Sequence, residues 1–192
     1  MSADGFHVHG PHDHELEHAA AHSTPDSFAG QLAVITAVLA TVGAIFSYMG
    51  GATQASAGLF KNDAAIRKTE AANQWNYYQA KSSKQNLSEL AIALAPADKQ
   101  SFYQDEVKRY KTEKAEIKVA AEKLEAESKD FDDKSAEQMH QHHRWAQATT
   151  ALQISIAMAA IALLTKRKWL EYVVFGVGGM GVVLGALAWA HI

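Results

Sequence analysis

Residues 145–189 read WAQATTALQISIAMAAIALLTKRKWLEYVVFGVGGMGVVLGALAW, and this stretch decides the fold. The run 146–164 has no charged side chain, and neither has the run 172–190 beyond the basic turn Lys166-Arg167-Lys168. Each is close to the ~20 residues an α-helix needs to cross about 30 Å of hydrocarbon. Trp145, Trp169 and Trp189 fall where the runs enter or leave lipid. That boundary suits an indole, whose ring is apolar and whose N–H is polar. The stretch reads as two membrane helices joined by a tight turn, with Trp145, Lys166, Arg167, Lys168, Trp169 and Trp189 as membrane anchors.

Upstream, 31–50 is a third apolar run of spanning length, which reads as a retained signal-anchor because no basic n-region precedes it. Ala33, Ala37 and Thr41, then Ala151, Ser155 and Ala159, and the pair Gly181 and Gly185 repeat small residues at four-residue spacing. Such spacing lets helix backbones approach closely where lipid supplies no hydrophobic drive for association.

The 94 residues of 51–144 hold fifteen Lys/Arg and fifteen Asp/Glu, so this part is highly charged yet neutral overall. Leu59, Ile66, Asn73, Ala80, Leu87 and Leu94 recur at seven, the period of a coiled-coil seam. Ala95-Pro96-Ala97-Asp98 breaks the pattern, because proline disfavours the helical conformation in the residue before it and Asp98 is suited to cap a new helix. Tyr103, Tyr110, Ile117, Leu124 and Phe131 then recur at seven, with Val107, Ala121, Ser128 and Ser135 four residues after members of that series. The expected fold is an all-α membrane protein: three transmembrane helices, with a long antiparallel helical hairpin, a coiled-coil stalk, between the first and second. Its parts are a His- and acid-rich tail at 1–30, spans at 31–50, 145–165 and 169–190, and an extramembrane hairpin at 51–144 that turns at 95–98.

The tail has no Lys or Arg, five acids and six histidines: His7, His9, His12, His14, His18 and His22. Its composition suits a disordered segment. The His-x-His pairs and the i, i+4 series through His14, His18 and His22 make these six candidate ligands for Zn, Cu or Ni. A second candidate metal set, His140, His143 and His191, gathers at the ends of the second and third spans. The chain has no cysteine, which excludes thiolate sites and disulfides. No part is basic enough for a nucleic-acid partner. No phosphate loop, dinucleotide fingerprint or zinc-protease motif is present, so no enzyme is expected. The spans carry no deep ionisable residue of the kind carriers use.

Lys166, Arg167 and Lys168 in a tight turn place that turn, and with it the N-terminus, in the cytoplasm by the positive-inside rule, leaving the stalk periplasmic. Lys61, Arg67, Lys68 and Arg144 on the stalk side argue the other way, but charges on long loops influence orientation less.

The run AANQWNYYQAKS at 71–82 resembles the signature of an uncharacterised bacterial family of three-span inner-membrane proteins, a domain of unknown function. The resemblance extends over nearly the whole chain and implies the same architecture, with no assigned activity or catalytic residue. It marks Trp75, Tyr77, Tyr78, Gln79 and Lys81 as a candidate partner or interface surface. The expectation is a membrane-anchored oligomeric scaffold or accessory subunit, a homo-oligomer that presents its stalk to a membrane or periplasmic partner. The alternative is an oligomeric pore, with metal capture by the tail as an addition to either.

Overall fold

A computed structural model describes residues 28–191, so the six tail histidines lie outside the described residues. The fold is three helices: α1 over Phe28–Leu94, α2 over Ala97–Thr165 and α3 over Lys168–Trp189. No strand occurs among the described residues. All three helices are long and apolar enough to cross a membrane.

Pro96 separates α1 from α2 as its restriction of Ala95 predicts. Asp98 lies within the first turn of α2 and not before it, a placement in which its carboxylate still complements the helix dipole. Gly50 and Gly51 do not interrupt α1. A Cβ on Gly50 would stand 3.3 Å from that of Trp145, so the missing side chain serves helix approach instead of chain flexibility.

The chain divides into two compact units, one comprising 28–53 with 140–191 and the other Gln54–Met139. The first gathers Leu32, Leu39, Leu152, Ala159, Ala162, Leu170 and Val174 into a core. Three of its glycines are notches filled by neighbouring side chains. Gly178 faces Leu39 and Ser155, Gly181 faces Leu152, and Gly185 faces the ring of Phe46. Ser155 donates to the Val174 carbonyl at 2.7 Å, satisfying a buried hydroxyl across helices. Ala148, Ser155, Ala159 and Ala162 are buried among these core residues, while Val34, Val38, Ile45, Ile161, Phe175 and Val183 are exposed, an apolar exterior suited to a hydrocarbon solvent. Between α2 and α3, Lys166 turns the chain in the left-handed region at φ 53°, and Lys166, Arg167 and Lys168 are all exposed.

In the second unit, the arms 54–94 and 97–139 contact each other with paired residues running in opposite senses. Ser135 donates to the Ala57 carbonyl at 2.8 Å, Ser128 to Ala64 at 2.9 Å, and Lys81 meets Glu113. The α2 contacts follow the expected series: Val107, Tyr110, Ile117, Ala121, Ser128 and Ser135 are buried. The α1 contacts do not. The buried series is Ala57, Ala64 and Ala71, continued by half-buried Tyr78, Gln85 and Ile92, whereas Leu59, Ile66, Asn73, Ala80, Leu87 and Leu94 are exposed. The seam is shifted by two residues because alanine, having almost no side chain, lets serine hydroxyls reach the facing backbone. A leucine there would hold the helices apart.

Candidate functional site

The segment 71–82 owes its position to the two helical periods of the second unit. Tyr78 continues the alanine series of α1, and Lys81 follows it by three residues, so both turn toward α2. On α2, Tyr110 is buried in the matching series and Glu113 and Lys114 follow one turn later.

Lys81 Nζ reaches Glu113 Oε2 at 2.5 Å and stands 5.0 Å from the Tyr77 ring and 5.5 Å from that of Tyr110. Lys114 Nζ lies 4.9 Å from the Tyr78 ring and 3.2 Å from Gln85 Oε1. Trp75 Nε1 donates to Glu125 Oε1 at 2.8 Å, and its ring meets Tyr78 edge-on at 5.6 Å. Arg109 closes the far side, with Glu106 at 2.6 Å and the Tyr110 hydroxyl at 3.2 Å. Trp75, Tyr78 and Lys81 therefore join the arms, Tyr77 lends one face to Lys81, and Gln79 points away, exposed.

Electrostatics hold this cluster in its charged form. The hydrogen-bonded Glu113 carboxylate raises Lys81 above the ordinary lysine range. The Lys81 ammonium in turn holds Glu113 below the ordinary carboxylate range, against the opposing effect of burial. An ammonium kept protonated has no lone pair for base or nucleophile work, so the arrangement fixes helix register rather than chemistry. Because the folded pKa of Glu113 is depressed, its contribution to stability is complete above the ordinary carboxylate value and fades as pH falls through the depressed one. Lys81 behaves inversely: its contribution is complete below the ordinary lysine value and fades as pH rises through the raised one. Glu113→Gln is accordingly expected to melt below wild type at neutral pH and to converge with it in strong acid. Circular dichroism melts across pH check this, and a constant gap down to strong acid would contradict it.

At the His140 end of the first unit, His142 Nδ1 contacts the Gly50 carbonyl at 2.8 Å and Gln141 Nε2 contacts His191 Nδ1 at 2.9 Å. His140 and His143 are exposed. Among the described residues, no three His, Asp or Glu side chains gather closely enough to hold a metal ion. Trp145 is only 3 % exposed, packed at 5.3 Å from Phe46 and 6.4 Å from Trp189, whereas Trp169 and Trp189 are largely exposed.

Glu113, Tyr110, Lys114 and Glu125 are the residues that sequence reasoning left out of this site. Their signal was present in the seven-residue series through Tyr110 and Ile117, which carries Glu113 and Lys114 to the same edge.

The family model described as Domain of unknown function (DUF4337) matches residues 28–191, and the chain belongs to that family. No curated protein and no solved structure gives a match.

Proposed function

We propose that this family member is a membrane-anchored, oligomeric scaffold or accessory subunit of the bacterial inner membrane, carrying its arms as a coiled-coil stalk and having no catalytic activity of its own. The filled glycine notches carry this reading. Leu39 with Ser155, Leu152 and Phe46 occupy the spaces at Gly178, Gly181 and Gly185, so these three small residues of α3 serve close packing within one chain. A path for a solute needs those small residues to line open space, and here side chains fill it. The exposed Lys166, Arg167 and Lys168 support a cytoplasmic turn and hence a periplasmic stalk. Each arm of the stalk is roughly 60 Å long at about 1.5 Å per residue, a length suited to holding a partner at a distance from lipid.

Reconstituting the full-length protein in liposomes and measuring ion and dye flux, alongside its mass in detergent, tests the proposal. Flux equal to empty vesicles from a species heavier than a monomer is the expected result. Flux that scales with protein would replace the scaffold with a pore.

A further inference from the structure

The outer side of the α1 arm differs in kind from the rest of the second unit. The alanine series at 57, 64 and 71 and its continuation at 78, 85 and 92 keep one direction along the arm because they recur at seven. Directly opposite, about 200° around the helix at 100° per residue, run Leu59, Ile66, Asn73, Ala80, Leu87 and Leu94. Leu59, Ile66, Leu87 and Leu94 are 68 %, 48 %, 67 % and 77 % exposed. The positions three residues further on are Asn62, Thr69, Asn76, Ser83 and Leu90, again exposed and uncharged. The residues just before the leucine series, from Gly58 through Ala65 and Ala72 to Ala93, are uncharged as well. All eight charged residues of the arm fall outside these three positions of the heptad.

The outer side of the α2 arm carries Asp105, Lys108, Glu116, Glu122, Lys129 and Asp133, all exposed. Water explains that face. It does not explain a neutral stripe that runs the length of a charged hairpin with leucines at both ends.

We infer that this outer face of the α1 arm is a protomer–protomer surface, packing against the same face of a second copy, parallel and in register. The inference rests on the oligomeric part of the proposed function and specifies its contact. Three features of the face select a second copy as the occupant. A face without charge has nothing to attract an oppositely charged partner, yet it matches itself. Its polar members include the amides Asn62, Asn73 and Asn76 beside the hydroxyls Thr69 and Ser83; an amide carries both donors and an acceptor, so an asparagine can satisfy the same asparagine across a two-fold axis. Among the described residues, Asn62, Asn73 and Asn76 find no side-chain partner within the chain. Asn73 lies at the middle of the leucine series, where a polar residue fixes register and strand number in a two-helix seam.

The area is also sufficient. A strip roughly 60 Å long and about 10 Å wide, with side chains in relief, approaches the ~800 Å² per partner of a standard stable interface. A parallel pairing sets Asn73 against Asn73, whereas an antiparallel match of the same series, Leu59 against Leu94, would set Asn73 against Ala80 and leave its amide without a partner.

The absence of cysteine permits a direct test with single-cysteine variants of the full-length protein in native membranes. Under mild oxidation, Ile66→Cys, Ala80→Cys and Leu87→Cys are each expected to give a species of twice the monomer mass, at least about tenfold above Thr112→Cys and Ala126→Cys on the outer side of α2. An oligomer by mass that cross-links at 112 and 126 but not at 66, 80 and 87 would overturn this surface and leave the scaffold reading intact. A monomer by mass that cross-links nowhere would remove the oligomeric reading itself. Adducts of unlike mass would assign the face to a different protein and overturn the inference.

Discussion

Replacing Ala121 with leucine is expected to open the second unit locally, speeding backbone amide exchange in 57–71 and 117–131 about a hundredfold. Ala121 is completely buried and Ala71 nearly so. The register that pairs Ala57 with Ser135 and Ala64 with Ser128 brings Ala71 level with Ala121. A leucine there adds three carbon groups to a contact made of two methyls. Overpacking of this kind costs up to about 3 kcal/mol, and about 1.4 kcal/mol is a factor of ten. The serine hydroxyls one and two heptads away would lose their carbonyls as the backbones part, adding ~1 kcal/mol for each bond broken. Ala126→Leu, at an exposed position of the same helix, is the comparison and is expected to stay within about 0.5 kcal/mol of wild type. Hydrogen exchange of the intact protein in detergent reads both. Equal protection in the two variants would mean that the alanine series does not set the distance between the arms.

That same series explains why one heptad was legible and the other was not. Pattern reading gives weight to large apolar residues, and on α2 the large residues Tyr110 and Ile117 are the buried ones. On α1 the weight fell on Leu59, Ile66, Leu87 and Leu94, which face outward, while the contact is made by Ala57, Ala64 and Ala71. Alanine is common on both solvated and packed helix faces, so composition does not distinguish the two roles. Only the hydroxyls of Ser128 and Ser135 on the partner helix hint at a close approach.

The membrane-length helices were legible because length without charge is a one-dimensional property. Trp145 shows where such reading stops. Its distance along the chain from Arg144 and the apolar run sets its depth, but whether its ring faces lipid or protein depends on rotation about the helix axis. The structure turns it inward, against Phe46 and Trp189. In the segment 71–82, Trp75, Tyr78 and Lys81 meet residues of the chain's own second arm. The ion pair of Lys81 with Glu113 shows why such contacts are not legible in sequence: the two residues are 32 positions apart and meet only once both heptad registers are known.

Gly185→Val is expected to destabilise the first unit by about 3 kcal/mol and to shift tryptophan emission toward the red. A side chain at this position would overlap the Phe46 ring, so the ring has to leave its place. Phe46 in turn rests against Trp145, and Trp145 against Trp189, so one displacement propagates to two indoles. Gly179→Ala provides the contrast, because nothing lies within 4 Å of the added carbon and alanine favours the helix over glycine by up to about 1 kcal/mol. The decisive variant is the pair Phe46→Ala with Gly185→Val. If the cost of valine is its collision with one ring, removing the ring makes room. The double variant then melts well above the sum of the two separate losses, with a coupling of about 1–3 kcal/mol. Additive losses would instead place the cost in the backbone of α3, and the notch at Gly185 would then reflect helix bending and not the seating of Phe46.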